Sequence, residues 1–365
     1  MTAPQAEELA ALVSAESPSD DLQATAACAR VAAQIGTARL GRPPEELQSA
    51  GRLHLRWRFG AQCRVLLLGH LDTVWPLGTL GRWPFDVEGD RATGPGVFDM
   101  KAGVVQLLAA ASMLDDPDGA WVLLTSDEEV GSAAAQPLIA DAVRGAAAVL
   151  VFEPSADGAL KTARKGVAQY TVRVTGRAAH AGLEPERGVN AAVEAAHQVL
   201  SAAALADPAA GTTVTPTVVS AGTAANVVPS AATVAVDVRT ATLAEQERVS
   251  QALRGLGPVV PGAAVEVIQG MRVPPLQAES SRELFALAGQ AAADLGLPPL
   301  RGVAVGGGSD GNFTAALGVP TLDGLGAVGG NAHAEGEWAS LAAMPQRAAL
   351  AARLIGLILR RRGVN

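Results

Sequence analysis

Aromatic side chains make up only 3% of the 365 residues, so the 49% of the chain that is hydrophobic must build its core from Ala, Val and Leu. Cysteine occurs twice, as Cys28 and Cys63, and fits neither a CxxC nor a metal-finger spacing. Two small buried or half-buried thiols in a reducing compartment are expected. Basic residues are outnumbered 28 to 36, and a net charge of -8 argues against a nucleic-acid partner, which would need a basic surface. No apolar run approaches the ~18 residues of a membrane span. The start, Met1-Thr2-Ala3-Pro4 followed by Glu7 and Glu8, lacks the basic region and apolar stretch of a signal peptide. A cytoplasmic protein without membrane contact is expected.

Short apolar runs alternate with helical segments. Residues 5–36 have Ala and Leu at helical spacing, broken at Ser17-Pro18-Ser19. The runs 64–69, 121–125 and 147–152 look like buried strands, 54–59 alternates like a strand, and 102–114 is long enough for a buried helix. This pattern predicts an α/β fold, a mostly parallel sheet with helices on both faces. From about residue 166 the character changes. Segments 169–175 and 233–239 alternate with period two around a helical stretch at 189–206, which suggests a smaller α+β unit. The parallel pattern resumes near Leu300 and ends in a helix over 341–362, whose tail Arg360-Arg361-Arg362 places favourable charge at a helix C-terminus. Residues 1–165 and 273–365 are thus expected to form one domain, with 166–272 inserted into it.

Five motifs carrying acids or histidine fall in order along the chain, most of them just after a strand-like run: Gly69-His70-Leu71-Asp72-Thr73, Asp99-Met100-Lys101, Ser126-Asp127-Glu128-Glu129, Glu153-Pro154 and Gly329-Gly330-Asn331-Ala332-His333. Taken singly, each has an ordinary explanation. His70 can be a structural histidine at a strand end, Asp99 a helix N-cap, the acidic triplet a solvated turn and His333 a polar loop residue. Taken together, His70, Asp99, Glu129, Glu153 and His333 offer mixed imidazole and carboxylate ligands of the kind zinc favours. Acids that converge without a cation would repel, and a metal pair removes that conflict. Adjacent Glu128 and Glu129 point differently, so one can bind metal while the other accepts a proton. Asp72, two residues from His70 on an extended segment, can hold the far nitrogen of that ring. His54 and His197 belong to no motif and are read as structural. Gly306-Gly307-Gly308-Ser309-Asp310-Gly311 lacks the lysine of a phosphate loop and is read as a substrate-facing loop.

In order and spacing, GHLDTVWP, GVFDMKAG, TSDEEVGS, FEP and the late histidine loop resemble the dinuclear zinc metallopeptidases. That family includes aminoacylases, acetylornithine deacetylase, succinyl-diaminopimelate desuccinylase and bacterial glutamate carboxypeptidases. The resemblance implies two divalent metal ions per chain, zinc first, with cobalt or manganese as alternatives. It implies His70 and Glu153 on one ion, Glu129 and His333 on the other, Asp99 as the bridge, Glu128 as general base and Asp72 as the residue orienting His70. The insert resembles the family's lid and dimerisation domain. There His180, in GRAAHAG, is expected to complete the oxyanion site of a partner subunit in a homodimer. Asn226, Arg239 and, by a looser match, Arg272 are expected to hold the substrate carboxylate.

The wording HAGLEPERGVNA is most similar to the glutamate carboxypeptidases. The expected activity is therefore metal-dependent hydrolysis of an amide or peptide bond in a small peptide or N-acyl amino acid, releasing an amino acid with a free carboxylate. An N-acyl-amino-acid deacylase or dipeptidase on the same scaffold is the alternative. A non-catalytic metal-dependent binding protein is the alternative of a different class.

Overall fold

A computed structural model describes residues 3–361. It has two compact units: Met1–Ala163 with Gln277–Val305 and Ser309–Asn365, and Arg164–Leu276 with Gly306–Gly308. Met1 and Thr2 of the N-terminal reading, and Arg362 of the basic tail, lie outside the described residues.

In chain order, the first unit begins with helices α1 (Ala3–Ser14) and α2 (Leu22–Leu40) and strands β1 (Glu45–Ser49), β2 (Arg52–Arg58), β3 (Val65–His70), β4 (Asp86–Glu88) and β5 (Arg91–Thr93). Helix α3 (Ala102–Ser112), β6 (Ala120–Thr125), α4 (Gln136–Ala142), β7 (Ala148–Val151) and β8 (Leu160–Arg164) follow. The second unit carries β9 (Gly166–Thr175), α5 (Ala191–Ala203), β10 (Thr213–Ala221), β11 (Ala231–Thr240), α6 (Leu243–Arg254) and β12 (Ala264–Val273). The chain then returns through α7 (Ala278–Asp294), β13 (Gly302–Val305), α8 (Asp310–Ala316), β14 (Thr321–Leu322), β15 (Gly329–Gly330), β16 (Trp338–Ser340) and α9 (Ala343–Arg360).

The main sheet has the order β1-β2-β6-β3-β7-β14. Strand β3 runs parallel to β6 and β7, and β14 parallel to β7, while the β1–β2 hairpin joins antiparallel through β2 and β6. Side chains alternate across β3. Val65 and Leu67 enter one apolar cluster with Leu9, Leu107 and Ile355, and Leu66 and Leu68 enter another with Trp121 and Ile139. Burial on both faces is why these strands read as unbroken apolar runs, and the α/β class stands. A second sheet, β15-β16-β5-β4, was invisible in sequence, because strands of two or three residues carry no periodicity. The break at Ser17-Pro18-Ser19 has a physical reason. Pro18 bridges Thr73 in parallel and the Ser17 hydroxyl donates to Leu71 O at 2.7 Å, which fastens this segment beside His70.

In the smaller unit the antiparallel sheet β10-β11-β9-β12 buries Tyr170, Val172, Val234 and Val236 against apolar residues of α5 and α6, and turns polar residues to the other face. The glycines at 306–308, expected within the 273–365 stretch, cluster with this unit instead, because buried Arg164 donates to Gly307 O at 3.2 Å and Gly308 O at 2.8 Å. Among the described residues, no helix is long and apolar enough to cross a membrane. Cys28 and Cys63 are both free and buried, and burial pushes the Cys63 thiol up to about 12.

His54 makes the fold sensitive to acid. It is fully buried on β2, and neither ring nitrogen has a hydrogen-bond partner. Burial pushes its pKa from 6.5 down to about 4, with the Asp72 carboxylate opposing the shift and Arg52 adding to it. Below pH 6.5 the unfolded chain takes up a proton that the folded chain refuses until about pH 4. Stability therefore falls as pH drops through that window, by up to about 3 kcal/mol from this group. Replacing His54 by Leu should remove that increment from the difference between unfolding free energies at pH 7 and pH 4.5, measured in urea with a chelator present. The same difference in both proteins would refute it.

Candidate metal centre

The parallel register decides where the first ligands meet. His70 is level with Thr125, and Leu68 with Val151, so β3, β6 and β7 end side by side. His70 closes β3, the turn Asp127-Glu128-Glu129 follows β6, and Glu153 follows β7. This is the carboxyl edge at which open α/β sheets bind ligands. Glycines bring other segments close to Glu153. A Cβ on Gly103 of α3, or on Gly326, would stand 2.1 Å from Phe152 O. Asp99 is not a helix N-cap, since α3 begins three residues later and has no side-chain cap. Asp99 instead occupies an irregular turn before the helix, with φ -114° and ψ 95°.

His70 Nε2 lies 3.3 Å from Asp99 Oδ1 and 3.4 Å from Glu153 Oε1. On the other side of Asp99, His333 Nε2 lies 3.5 Å from Asp99 Oδ2 and 3.2 Å from Glu129 Oε2. His333 and Asn331 hold left-handed backbone at φ 61°, a conformation that costs an L residue roughly 1–2 kcal/mol. The structure thus brings His70, Glu153, Asp99, Glu129 and His333 together, with Asp99 between the two groups.

Asp72 faces both the His70 ring and the acidic turn. The His70 Nδ1 nitrogen is 3.0 Å from the backbone carbonyl of Asp72 and 3.5 Å from its carboxylate. The Asp72 carboxylate also accepts the backbone N–H of Glu128 and of Glu129, each at 3.1 Å, and the Ser19 hydroxyl at 2.7 Å. With Nδ1 on that carbonyl, Nε2 faces Asp99 and Glu153. The buried carboxylate shapes the Glu128–Glu129 turn.

The donor set fits a divalent cation. His70 Nε2 and Asp99 Oδ1 are both buried without a hydrogen-bond partner although they face one another. Ligand atoms of His70, Asp99 and Glu129 all lie within 4.8 Å of one another, and so do those of His70, Glu128 and Glu153. Burial, and next the neighbouring Glu153, push the Glu128 carboxyl well above the ordinary range, and burial also raises Glu129. Burial opposes charge on the His70 ring, yet Asp72, Asp99 and Glu153 outweigh it and raise its pKa well above 6.5. The carboxylates of Asp99 and Glu129 push His333 up to about 10. Glu128, Glu129 and both histidines are shifted toward holding protons, whereas burial at Asp99 is outweighed by His333 and His70, which hold its carboxyl below the usual range. A bound cation would supply the missing positive charge.

Two further buried acids have no role of their own in the motifs: Asp310, within the glycine loop expected to face substrate, and Glu337. Asp310, at the start of α8, accepts the hydroxyls of Thr125, at 2.9 Å, and Ser132, and burial raises its pKa to about 6. Its position directly after the Gly306-Gly307-Gly308-Ser309 run was the available signal. Glu337, four residues after His333, had no comparable signal.

In the smaller unit His180 is exposed, and its Nδ1 accepts the N–H of Gly182 at 3.1 Å and of Leu183 at 3.2 Å. Asn226 is its neighbour, since His180 bridges Val227 and Ala181 N donates to Asn226 O. Arg239 makes a two-pronged ion pair with Asp237, at 2.8 and 3.0 Å. Arg272 is not brought to the same face. Arg239 is opposite Val167 on β9, whereas Arg272 is opposite Ala168 on the helix-covered face and reaches Gln246 and Glu247 of α6.

Residues 66–356 match the peptidase family M20/M25/M40, and the chain belongs to that family. It is 36% identical over 306 residues to carboxypeptidase G2 of Pseudomonas sp. (strain RS-16), covering 80% of this chain and 73% of that protein. It is 34% identical over 142 residues to a putative succinyl-diaminopimelate desuccinylase of Mycobacterium tuberculosis, covering 37% of this chain and 39% of that protein. Its fold is similar to that of the aminopeptidase PepT of Bacillus cereus, with a TM-score of 0.77, 20% identity and 98% of each chain covered. The chain is an enzyme, a metal-dependent peptidase or amidohydrolase, and not a binding protein that has merely kept the scaffold.

Proposed function

We propose that this enzyme carries two divalent metal ions, zinc in the first place, and hydrolyses a peptide or amide bond to release an amino acid with a free carboxylate, in the manner of a glutamate carboxypeptidase. The observation that carries this reading is the placement of His70 and Glu153 on one side of Asp99, and of Glu129 and His333 on the other. Such a metal pair, when bound, polarises the scissile carbonyl and lowers the pKa of water. Glu128 takes the proton from the attacking water and passes it to the departing amine. Asp72 holds the Glu128–Glu129 turn by two backbone hydrogen bonds, so that base and ligand are aimed together.

Asn226 and Arg239 hold the substrate's carboxylate. The Arg239 guanidinium is already paired with Asp237, so an incoming carboxylate competes for it and takes over part of a preformed fork. A second reading, hydrolysis of an N-acyl amino acid, draws on the similarity to the desuccinylase over 142 residues. The working unit is a homodimer formed through the smaller unit, whose edge strand β10 exposes Val218 and Val219. The two buried free thiols support a cytoplasmic setting.

The test is a hydrolysis screen of dipeptides and N-acyl amino acids on chelator-stripped enzyme reloaded with zinc, cobalt or manganese, with metal counted by elemental analysis. Two ions per chain and release of a free amino acid are expected. One ion or none in the fully loaded enzyme would end the two-metal reading. Amidating the carboxylate of the best substrate should lower kcat/KM by about 10- to 100-fold, the worth of a hydrogen-bonded charge. Equal rates on acid and amide would remove Asn226 and Arg239 from their role. Fastest cleavage of apolar or basic residues would overturn the preference for glutamate.

A further inference from the structure

Glu337 is a buried acid whose carboxylate is bound to the backbone of the Asp99 turn. None of its surface is exposed, and a carboxylate so placed persists only with donors around it. It has four. Oε1 accepts Phe98 N at 2.8 Å and Asp99 N at 2.9 Å, and Oε2 accepts Trp75 Nε1 at 2.9 Å and Gly96 N at 3.1 Å.

Three of those donors belong to the turn that carries Asp99. That turn departs from helical geometry at Asp99 and Met100, so its N–H groups need an acceptor from elsewhere. The acceptor comes from the base of the loop that carries His333. Glu337 N donates to Ala334 O at 3.1 Å, and the next residue, Trp338, pairs with Thr93 in the β16–β5 ladder. The same loop holds His333 in left-handed backbone. One side chain therefore spans two segments 238 residues apart, each of which delivers one of the groups that meet at Asp99 Oδ2 and His333 Nε2.

We propose that Glu337 is a positioning residue of the metal centre: its carboxylate locks the Asp99 turn against the His333 loop, so that the bridging carboxylate and the imidazole meet at the spacing a metal ion needs. The inference rests on reading these residues as a two-metal centre. Glutamine has the same shape but offers one acceptor oxygen and an amide N–H group. In Glu337→Gln, two of the four N–H donors would therefore face another N–H. Partners of this kind behind metal ligands typically contribute 10- to 100-fold to metal affinity.

The experiment compares wild type with Glu337→Gln and follows metal rather than activity. Zinc is titrated into chelator-stripped protein, the absorption spectrum of the cobalt form is recorded, and Tm is measured with and without metal. Two ions are expected on wild type. In Glu337→Gln one of the two should bind about 10- to 100-fold more weakly, with an altered cobalt spectrum and a smaller metal-induced rise in Tm. A residue that only supported the fold would lower the metal-free Tm and leave zinc affinity, cobalt spectrum and metal-induced rise as in wild type. That result would overturn the proposal. Should Glu337→Gln fail to fold, Glu337→Asp keeps the charge but is one methylene too short to reach both segments, and the same three measurements decide. Absence of metal binding in wild type would sink the two-metal reading and this inference with it. Two ions on wild type and unchanged binding in the variants would remove Glu337 alone.

Discussion

Glu128→Gln is expected to lower turnover at least ~10²-fold, the low end for general acid–base catalysis, with both metal ions retained. Glutamine keeps the shape and the backbone N–H that donates to Asp72 Oδ1 at 3.1 Å, so the turn stays in place and Glu129 keeps its aim. It loses the ability to take a proton. That ability is built into the site, because burial and the neighbouring Glu153 favour the protonated acid. An interaction needed only while the bond is breaking should depress kcat and kcat/KM equally and leave KM nearly unchanged. Steady-state kinetics with elemental analysis of the same sample checks both halves. Near-normal turnover would remove Glu128 from the role of base. Loss of one ion would make it a ligand, a role its place beside His70 and Glu153 also permits.

His180→Ala should cost about 10²–10³ in kcat, the usual loss on deleting one oxyanion donor. The tautomer supports this. Two backbone N–H groups, of Gly182 and Leu183, occupy Nδ1 as an acceptor, so the ring proton sits on Nε2 and is free to donate outward. The residue is exposed, so it serves no packing purpose, and fold and metal content should survive its removal. If it acts in the site of a partner subunit, mixing His180→Ala with Glu128→Gln restores activity. Half of the dimers become hybrids, each with one site that has an intact Glu128 and receives an intact His180, giving about a quarter of wild-type activity. Subunit exchange without any return of activity would show that His180 does not act across an interface. A fully active monomer would end the dimer proposal.

Much of the centre was legible because three of its ligands, His70, Glu129 and Glu153, come at or just after the end of a short apolar strand. The run 64–69 had to be a buried strand, and His70 follows it. The same held for 121–125 before Glu128 and Glu129, and for 147–152 before Glu153. Once those strands were parallel, their ends had to collect at one edge. Asp99 was harder, because its turn looks in sequence like the start of a helix, and an Asp there is normally a cap. His333 had no local signal beyond its loop, and only its place after the other motifs made it a candidate. The two-residue spacing accounts for the Asp72 carboxylate 3.5 Å from His70 Nδ1, but not for the Glu128 and Glu129 amides that the same carboxylate accepts, more than fifty residues away.

Arg239 and Arg272 show the same limit. Both fall on strands with convincing alternation, but the irregularity in β12 between Gln269 and Arg272 decides which face Arg272 takes, and sequence does not reveal it. Periodicity and motif order follow from how one segment satisfies its own backbone and buries its own apolar face, and these local demands determined the α/β class, the inserted sheet and the ligand-bearing strand ends. Long-range hydrogen bonds follow no periodicity. That Glu337 would accept the amide of Asp99, that Ser19 would reach Asp72 and that Arg164 would draw Gly307 and Gly308 into the smaller unit was decided by the tertiary structure alone. In each case a buried polar group needed a partner, and folding brought one from a distant part of the chain.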